Sequence, residues 1–200
     1  MGGYSMIRVY LAAVDVVPAA IVIVPVFLLL YVTAYRRDFR KTALHCLFCL
    51  YMAAMFSLVG IPNVIYFRPS LTLNLIPFLG IAGDLKNSLL NVALFVPLGC
   101  FLPILQSQYR KFAPTVFFGL GLSAAIELLQ MLTYRATDVN DLITNVLGTA
   151  VGFLLAKPIC RRCTKAGKRI WDVYALIALS FSVMFFIHPF LSPMIWDRIL

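Results

Sequence analysis

Runs of about 20 apolar residues, repeated along the chain, leave this sequence few ways to fold. Each run is long enough for one helix to cross the hydrocarbon core of a bilayer. A backbone placed in lipid must satisfy its own N–H and C=O groups, which a helix does internally. Charge is too scarce for a soluble alternative. Only 12% of residues are charged, about half the roughly 25% of a soluble domain. Hydrophobic residues make up 62%. The expected fold is an all-α integral membrane protein with about six transmembrane helices, five being the alternative count. It forms a single transmembrane domain over 1–200, with no separate soluble domain.

The spans are expected at about Val9–Tyr35, Ala43–Ile61, Asn87–Leu105, Pro114–Leu132, Asp141–Ala156 and Val173–Phe190. Pro18 and Pro25 should kink the first, which membranes tolerate. That run is too long for a signal-peptide core and reads as a retained span. Between spans two and three lies a half-apolar segment punctuated by proline and glycine. It contains Arg68, Asn74-Leu-Ile-Pro-Phe78, Gly80, Gly83, Asp84 and Lys86. It reads as interfacial or re-entrant, with 74–83 a candidate lid. A short tail should follow span six.

Loop charge orients the chain. Arg36, Arg37, Arg40 and Lys41 follow span one, Arg110 and Lys111 follow span three, and Lys157, Arg161, Arg162, Lys165, Lys168 and Arg169 follow span five. The opposite side receives Arg8, Arg68, Lys86, Arg135 and Arg198. The positive-inside rule then places loops one, three and five in the cytoplasm and both termini outside. The net charge of +9 belongs to these loops, where anionic membrane lipids are the expected partner. Nucleic acid is not, because no basic helix face or aromatic-interleaved patch exists.

Cysteine use is plain. Cys46, Cys49 and Cys100 lie in or near apolar spans as small core residues. Cys160 and Cys163 form a C-R-R-C pair with no second pair or nearby His to complete a four-ligand zinc site. They read as free thiols. No metal and no cofactor is expected. His45 and His188 sit near span ends and read as structural or interfacial.

Polarity concentrates at the outer ends of spans three, four and five. Asn87 and Asn91 share one face of span three at i, i+4. Glu127 and Gln130 lie on span four, and Asp138, Asp141 and Asn145 open span five. At about 1.5 Å rise per residue, Asn91 and Asn145 lie roughly 6 Å below the ends of their helices and Glu127 roughly 8–10 Å below its own. Packed together, they share a layer in the outer leaflet. The same faces continue inward as small residues: Gly119 and Ser123 on span four, Gly148 and Gly152 on span five, Gly99 on span three. Small faces let membrane helices approach closely. A tight junction opening outward into a polar cavity is the expected result.

Blander roles compete. Asn91 and Asn145 would serve as interhelical hydrogen-bonding glue, and Asp138 and Asp141 as N-terminal caps. Glu127 fits such roles least, since an acid near mid-span costs several kcal/mol unless paired, protonated or hydrated.

Three motifs carry a resemblance: Asn91-Val-Ala-Leu-Phe-Val-Pro-Leu-Gly99, Ser123-Ala-Ala-Ile-Glu127-Leu-Leu-Gln130, and Arg135-x-x-Asp138-Val-Asn-Asp141-Leu-Ile-x-Asn145-x-x-Gly148. With Asn74-Leu-Ile-Pro-Phe78 they resemble the VanZ-like family in order and spacing, over a core of about 74–153 flanked by spans 9–35, 43–61 and 173–190. The family takes its name from a membrane protein implicated in bacterial resistance to teicoplanin, a lipoglycopeptide. The resemblance implies a multi-pass protein of the bacterial cell membrane with a role in such resistance, and brings no established reaction with it. Its polar positions here are Asn91, Glu127, Gln130, Arg135, Asp138, Asp141 and Asn145.

Three functions follow. The first is a binding protein that contributes to resistance by holding a headgroup from a lipid, a cell-wall precursor or the lipoglycopeptide, with Arg135 as a fork for phosphate or carboxylate. The second is a membrane enzyme acting on a lipid-linked cell-envelope substrate, with Glu127 or Asp141 as acid or base. The third is a small proton-coupled transporter, for which no ionisable residue continues a path on the inner halves of spans three to five. The reading favours binding over catalysis.

Overall fold

The computed structural model describes residues 2–65, 73–74, 85–133, 137–162, 167 and 171–199. Six helices among them are long and apolar enough to cross a membrane: Val14–Thr33, Phe39–Val59, Leu85–Leu105, Phe112–Gln130, Val139–Cys160 and Trp171–Asp197. The count is six, not five. In chain order the elements are α1 (Gly2–Thr33), α2 (Phe39–Val59), β1 (Leu73–Asn74), α3 (Leu85–Leu105), a 3-10 turn (Ser107–Arg110), α4 (Phe112–Gln130), β2 (Thr137–Asp138), α5 (Val139–Arg162), α6 (Trp171–Ser182), a π turn (Val183–Ile187) and α7 (His188–Ile199).

The described residues group into two compact units, one of Met1–Phe67 with Tyr174–Leu200 and one of Arg68–Val173. In the first, α1 packs on α2 and on α7. Asp38 caps α2, its carboxylate accepting the Lys41 N–H at 3.0 Å. Arg40 and Lys41 therefore sit in the first turn of α2, not in a loop closing α1. Gly60 ends α2 in the left-handed region at φ 67, where its N–H reaches the Phe56 and Ser57 carbonyls. Glycine takes that conformation without a Cβ penalty. Ser180 Oγ of α6 donates to the Cys49 carbonyl at 3.2 Å and ties α6 to α2.

The sixth span runs further than its sequence suggests. Instead of a tail after Phe190, the helix continues to Ile199 through the π turn. Pro189 has no N–H for the carbonyl of Phe185 four residues back. The Val64 N–H donates to that carbonyl instead, at 3.2 Å, so the helix passes the proline without an orphaned acceptor.

In the second unit α5 is the central helix, packed along α3 and against α4. Its glycines set the α3–α5 spacing. A Cβ built on Gly148 would collide with the Val92 carbonyl, and one on Gly152 with the Val96 carbonyl. From the other side, a Cβ on Gly99 would collide with the Thr149 carbonyl. Three positions thus forbid side chains so that two backbones can touch. Cys100 Sγ closes the seam by donating to the Gly152 carbonyl at 3.2 Å. On the α4 side, Gly119 faces the Thr149 side chain.

The segment between spans two and three falls largely outside the described residues. Beyond Ile65 its described part is Leu73–Asn74, which pairs in parallel with Thr137–Asp138. Asn74 is thereby set opposite Asp138, at the head of α5. The candidate lid 74–83 beyond Asn74 lies outside the described residues.

Candidate functional site

The head of α5 is where Asn91, Glu127, Asp138 and Asp141 meet. Asp138 caps the helix, its Oδ1 accepting the Asn140 N–H at 2.8 Å. That capping role was one of two open to it from sequence. Its own N–H donates to Glu127 Oε2 of α4 at 3.1 Å. Glu127 is 5% exposed, so its carboxylate faces the N-terminal end of α5, where the helix dipole favours negative charge. This contact answers the question that a mid-span acid raises, since a buried carboxylate requires hydrogen-bond donors. Gln130 is equally buried, one turn further along α4. Its carbonyl accepts the N–H and the hydroxyl of Thr133, each at 2.9 Å, and this turns the chain out of α4.

Asp141 is engaged across the α3–α5 seam, where Asn91 Nδ2 donates to its Oδ1 at 2.7 Å. Its carboxylate is thus part of an interhelical contact. Asn145, one turn deeper on α5, is 4% exposed, and its Nδ2 donates to Ser123 Oγ of α4 at 2.9 Å. Ser123 is fully buried. The single layer expected from helix depth is therefore two tiers. The upper holds Glu127, Asp138, Asp141 and Asn91. The lower, roughly 6 Å beneath at one helical turn, holds Ser123 and Asn145. Asn91 joins Asp141, not Asn145: the contacts of Gly148 with Val92 and of Gly152 with Val96 keep α3 and α5 near equal depth, and the Asn91 side chain, tilted toward the N-terminal end of its helix, reaches up to Asp141.

The lower tier carries an unmet need. Asn145 Oδ1 is buried and has no hydrogen-bond partner among the described residues. A buried unpaired acceptor costs about 1–3 kcal/mol. Turning the amide over exchanges the orphan for an unpaired N–H₂ group and leaves the need in place.

Arg135, the sequence's candidate fork, lies outside the described residues. Among the described residues no group of three or more His, Cys, Asp or Glu side chains is placed to hold a metal. Cys160 is not in a disulfide, and Cys163 lies outside the described residues.

Several residues take part in contacts that the sequence signals only faintly. Ser123 was legible only as a small residue on a packing face, yet it is the partner of Asn145. Thr149 is fully buried one turn beyond Asn145 and donates to its carbonyl at 3.0 Å. Its signal was the shared i, i+4 face. In the first unit Asp15, a carboxylate inside an apolar run, accepts the Ser57 hydroxyl at 2.6 Å and lies 3.4 Å from His188 Nε2. An acid within a span was the available signal. His188 thus has an acidic neighbour that its position in sequence does not reveal.

The VanZ/LLP1 family model matches residues 23–161. That stretch takes in α2, the whole α3–α5 seam and both polar tiers, and leaves Asp15 and His188 outside. Protein VanZ of Enterococcus faecium is 35% identical over 85 residues, 42% of this chain and 52% of that protein. The chain thus spans about half the length of the curated relative it matches. No solved structure matches. With the family model covering well over half of its residues, the chain belongs to the VanZ/LLP1 family.

Proposed function

We propose that this protein contributes to resistance against lipoglycopeptides of the teicoplanin type by holding a polar headgroup in the two-tier site at the head of α5. The reading rests on one observation above others: the amide of Asn145 is buried, and its oxygen has no partner among the described residues. Membrane proteins seldom bury polar groups without a use for them. A ligand entering above Ser123 and Asn145 would supply the missing partner. Glu127 and Asp141 would orient it, and Arg135, on the connection between α4 and α5, would meet a phosphate or carboxylate as a bidentate fork. The occupant is a lipid or cell-wall precursor headgroup, or the lipoglycopeptide itself. On this reading the site opens to the outer face of the bacterial cell membrane and both termini are extracytoplasmic, in line with the basic loops after spans one, three and five. The family membership supports the resistance role through the name of the relative, Protein VanZ.

The test is drug susceptibility in a sensitive bacterial host expressing the chain. Glu127→Gln, Arg135→Ala and Asp141→Asn each abolish protection while membrane expression persists. Full protection by all three variants would overturn the proposal.

A further inference from the structure

The opposite end of the second unit carries a separate feature. A cavity of about 230 Å³ is lined by Pro103, Arg110, Phe153, Lys157 and Cys160. Lys157 lies sixteen residues beyond Asp141 on α5, roughly 24 Å along the helix from the polar tiers. It is a different site by distance and by charge. The ionic side chains of its described lining, Arg110 and Lys157, are cations, whereas the tiers are rich in carboxylates.

Each wall has a definite origin. Pro103 belongs to the last turn of α3, and Arg110 closes the 3-10 turn that follows. The Arg110 Nε–H donates to the Pro103 carbonyl at 3.5 Å, which holds the guanidinium stem at the cavity wall. Phe153, Lys157 and Cys160 stand at i, i+4 and i+7 on α5 and share one face. Phe112 packs edge-on against Phe153 with ring centroids 5.5 Å apart and is 51% exposed. Leu154, three residues before Lys157, is 57% exposed. In a helix that crosses a bilayer, exposed leucine and phenylalanine face acyl chains. The cavity therefore has cations and apolar walls within, and a lipid-facing rim beside it.

We infer that this cavity binds the phosphate of an anionic membrane lipid. The charge on Arg110 and Lys157 suits a phosphodiester. The volume lies below the ~300–1,000 Å³ that holds a drug-sized molecule, so it takes a headgroup and leaves the acyl chains along Leu154 and Phe112. A free phosphate would gain nothing from Phe153 or from the apolar rim. The general attraction of basic loops for anionic lipid is thereby focused on one built site next to the α3–α5 seam. Bound lipid would tie the end of α3 to the end of α5.

Native mass spectrometry of the full chain in detergent, titrated with phosphatidylglycerol or phosphatidylcholine, tests this. Phosphatidylglycerol is retained in preference to phosphatidylcholine. Lys157→Ala and Arg110→Ala each weaken its retention roughly fivefold, as expected for loss of one cation near a phosphate. Lys157 is exposed, so its replacement leaves the fold intact. Lys111→Ala, an exposed neighbour outside the cavity lining, leaves retention unchanged. The inference is overturned if the two lipids bind alike, if Lys157→Ala retains phosphatidylglycerol as wild type does, or if Lys111→Ala weakens retention equally. Displacement of the lipid by millimolar inorganic phosphate would also overturn it, by assigning the cavity to a soluble anion.

Discussion

Gly152→Ala adds one methyl group where α3 and α5 touch. The new Cβ would collide with the Val96 carbonyl and stand 2.9 Å from Gly99 Cα. Both obstacles are backbone, so no side chain can turn aside. Carbon atoms pack at about 3.5–4.0 Å, so the helices must part by roughly 0.5–1 Å. A gap of that size forfeits a quarter to a half of each contact, itself worth about 0.1–0.2 kcal/mol. Over on the order of 40 atom pairs, the number a single buried Leu makes, the loss is about 1–4 kcal/mol. Overpacked cores typically lose about 1–3 kcal/mol. Alanine's better helix propensity returns up to about 1 kcal/mol, leaving a net destabilisation of about 1–2 kcal/mol. Gly121 is the control, because a Cβ there meets nothing within 4 Å. Gly121→Ala should be neutral or slightly stabilising. Thermal unfolding of the purified protein in detergent reads both, at about 2–4 °C per kcal/mol for a chain of this size. Equal melting of Gly152→Ala and wild type, or equal loss in both variants, would refute the account of the seam.

Two further substitutions probe the frame. Asp38→Ala removes the α2 cap and should cost about 1 kcal/mol, read as a lowered melting temperature. Thr115 is fully buried, and its hydroxyl donates to the Tyr109 carbonyl at 2.6 Å, tying the 3-10 turn to α4. Thr115→Val removes this hydrogen bond at nearly constant shape and should cost about 0.5–1.5 kcal/mol, read in the same assay.

How much was legible in the sequence follows from what each signal reports. Six spans were readable because hydropathy reports burial in lipid directly, and a run of 20 apolar residues has few other uses. The glycines of α3 and α5 were readable as a packing face, since nothing else lets two backbones approach so closely in lipid. Helix ends were less visible. Arg40 and Lys41 looked like a loop because charge at a span end suits either a loop or a capped first turn, and only the Asp38 side chain separates the two. The helical run beyond Phe190 was hidden by Pro189, whose effect depends on Val64 reaching the Phe185 carbonyl from elsewhere in the chain. In the site, helical spacing placed Glu127, Asp141 and Asn145 on facing surfaces. It could not give their register, because a one-turn slide of α3 along α5 leaves every spacing unchanged. Nor could it give the tilt of the Asn91 side chain, which decides whether that amide meets Asp141 or Asn145. Ser57 and His188 were invisible as partners of Asp15 for the same reason: contact between distant spans is a property of packing.

The central claim is that Asn145 is kept for a ligand and not for stability. Asn145→Leu tests it most directly. The change removes an amide whose oxygen has no partner among the described residues and one interhelical hydrogen bond, worth about 0.6–1.7 kcal/mol in a membrane. It adds apolar burial in return, so stability should stay within about 1 kcal/mol of wild type. The decisive measurement is lipoglycopeptide susceptibility of cells carrying this variant at matched membrane level. The account predicts a protein that melts like wild type and no longer protects. A stable variant that protects fully would contradict it.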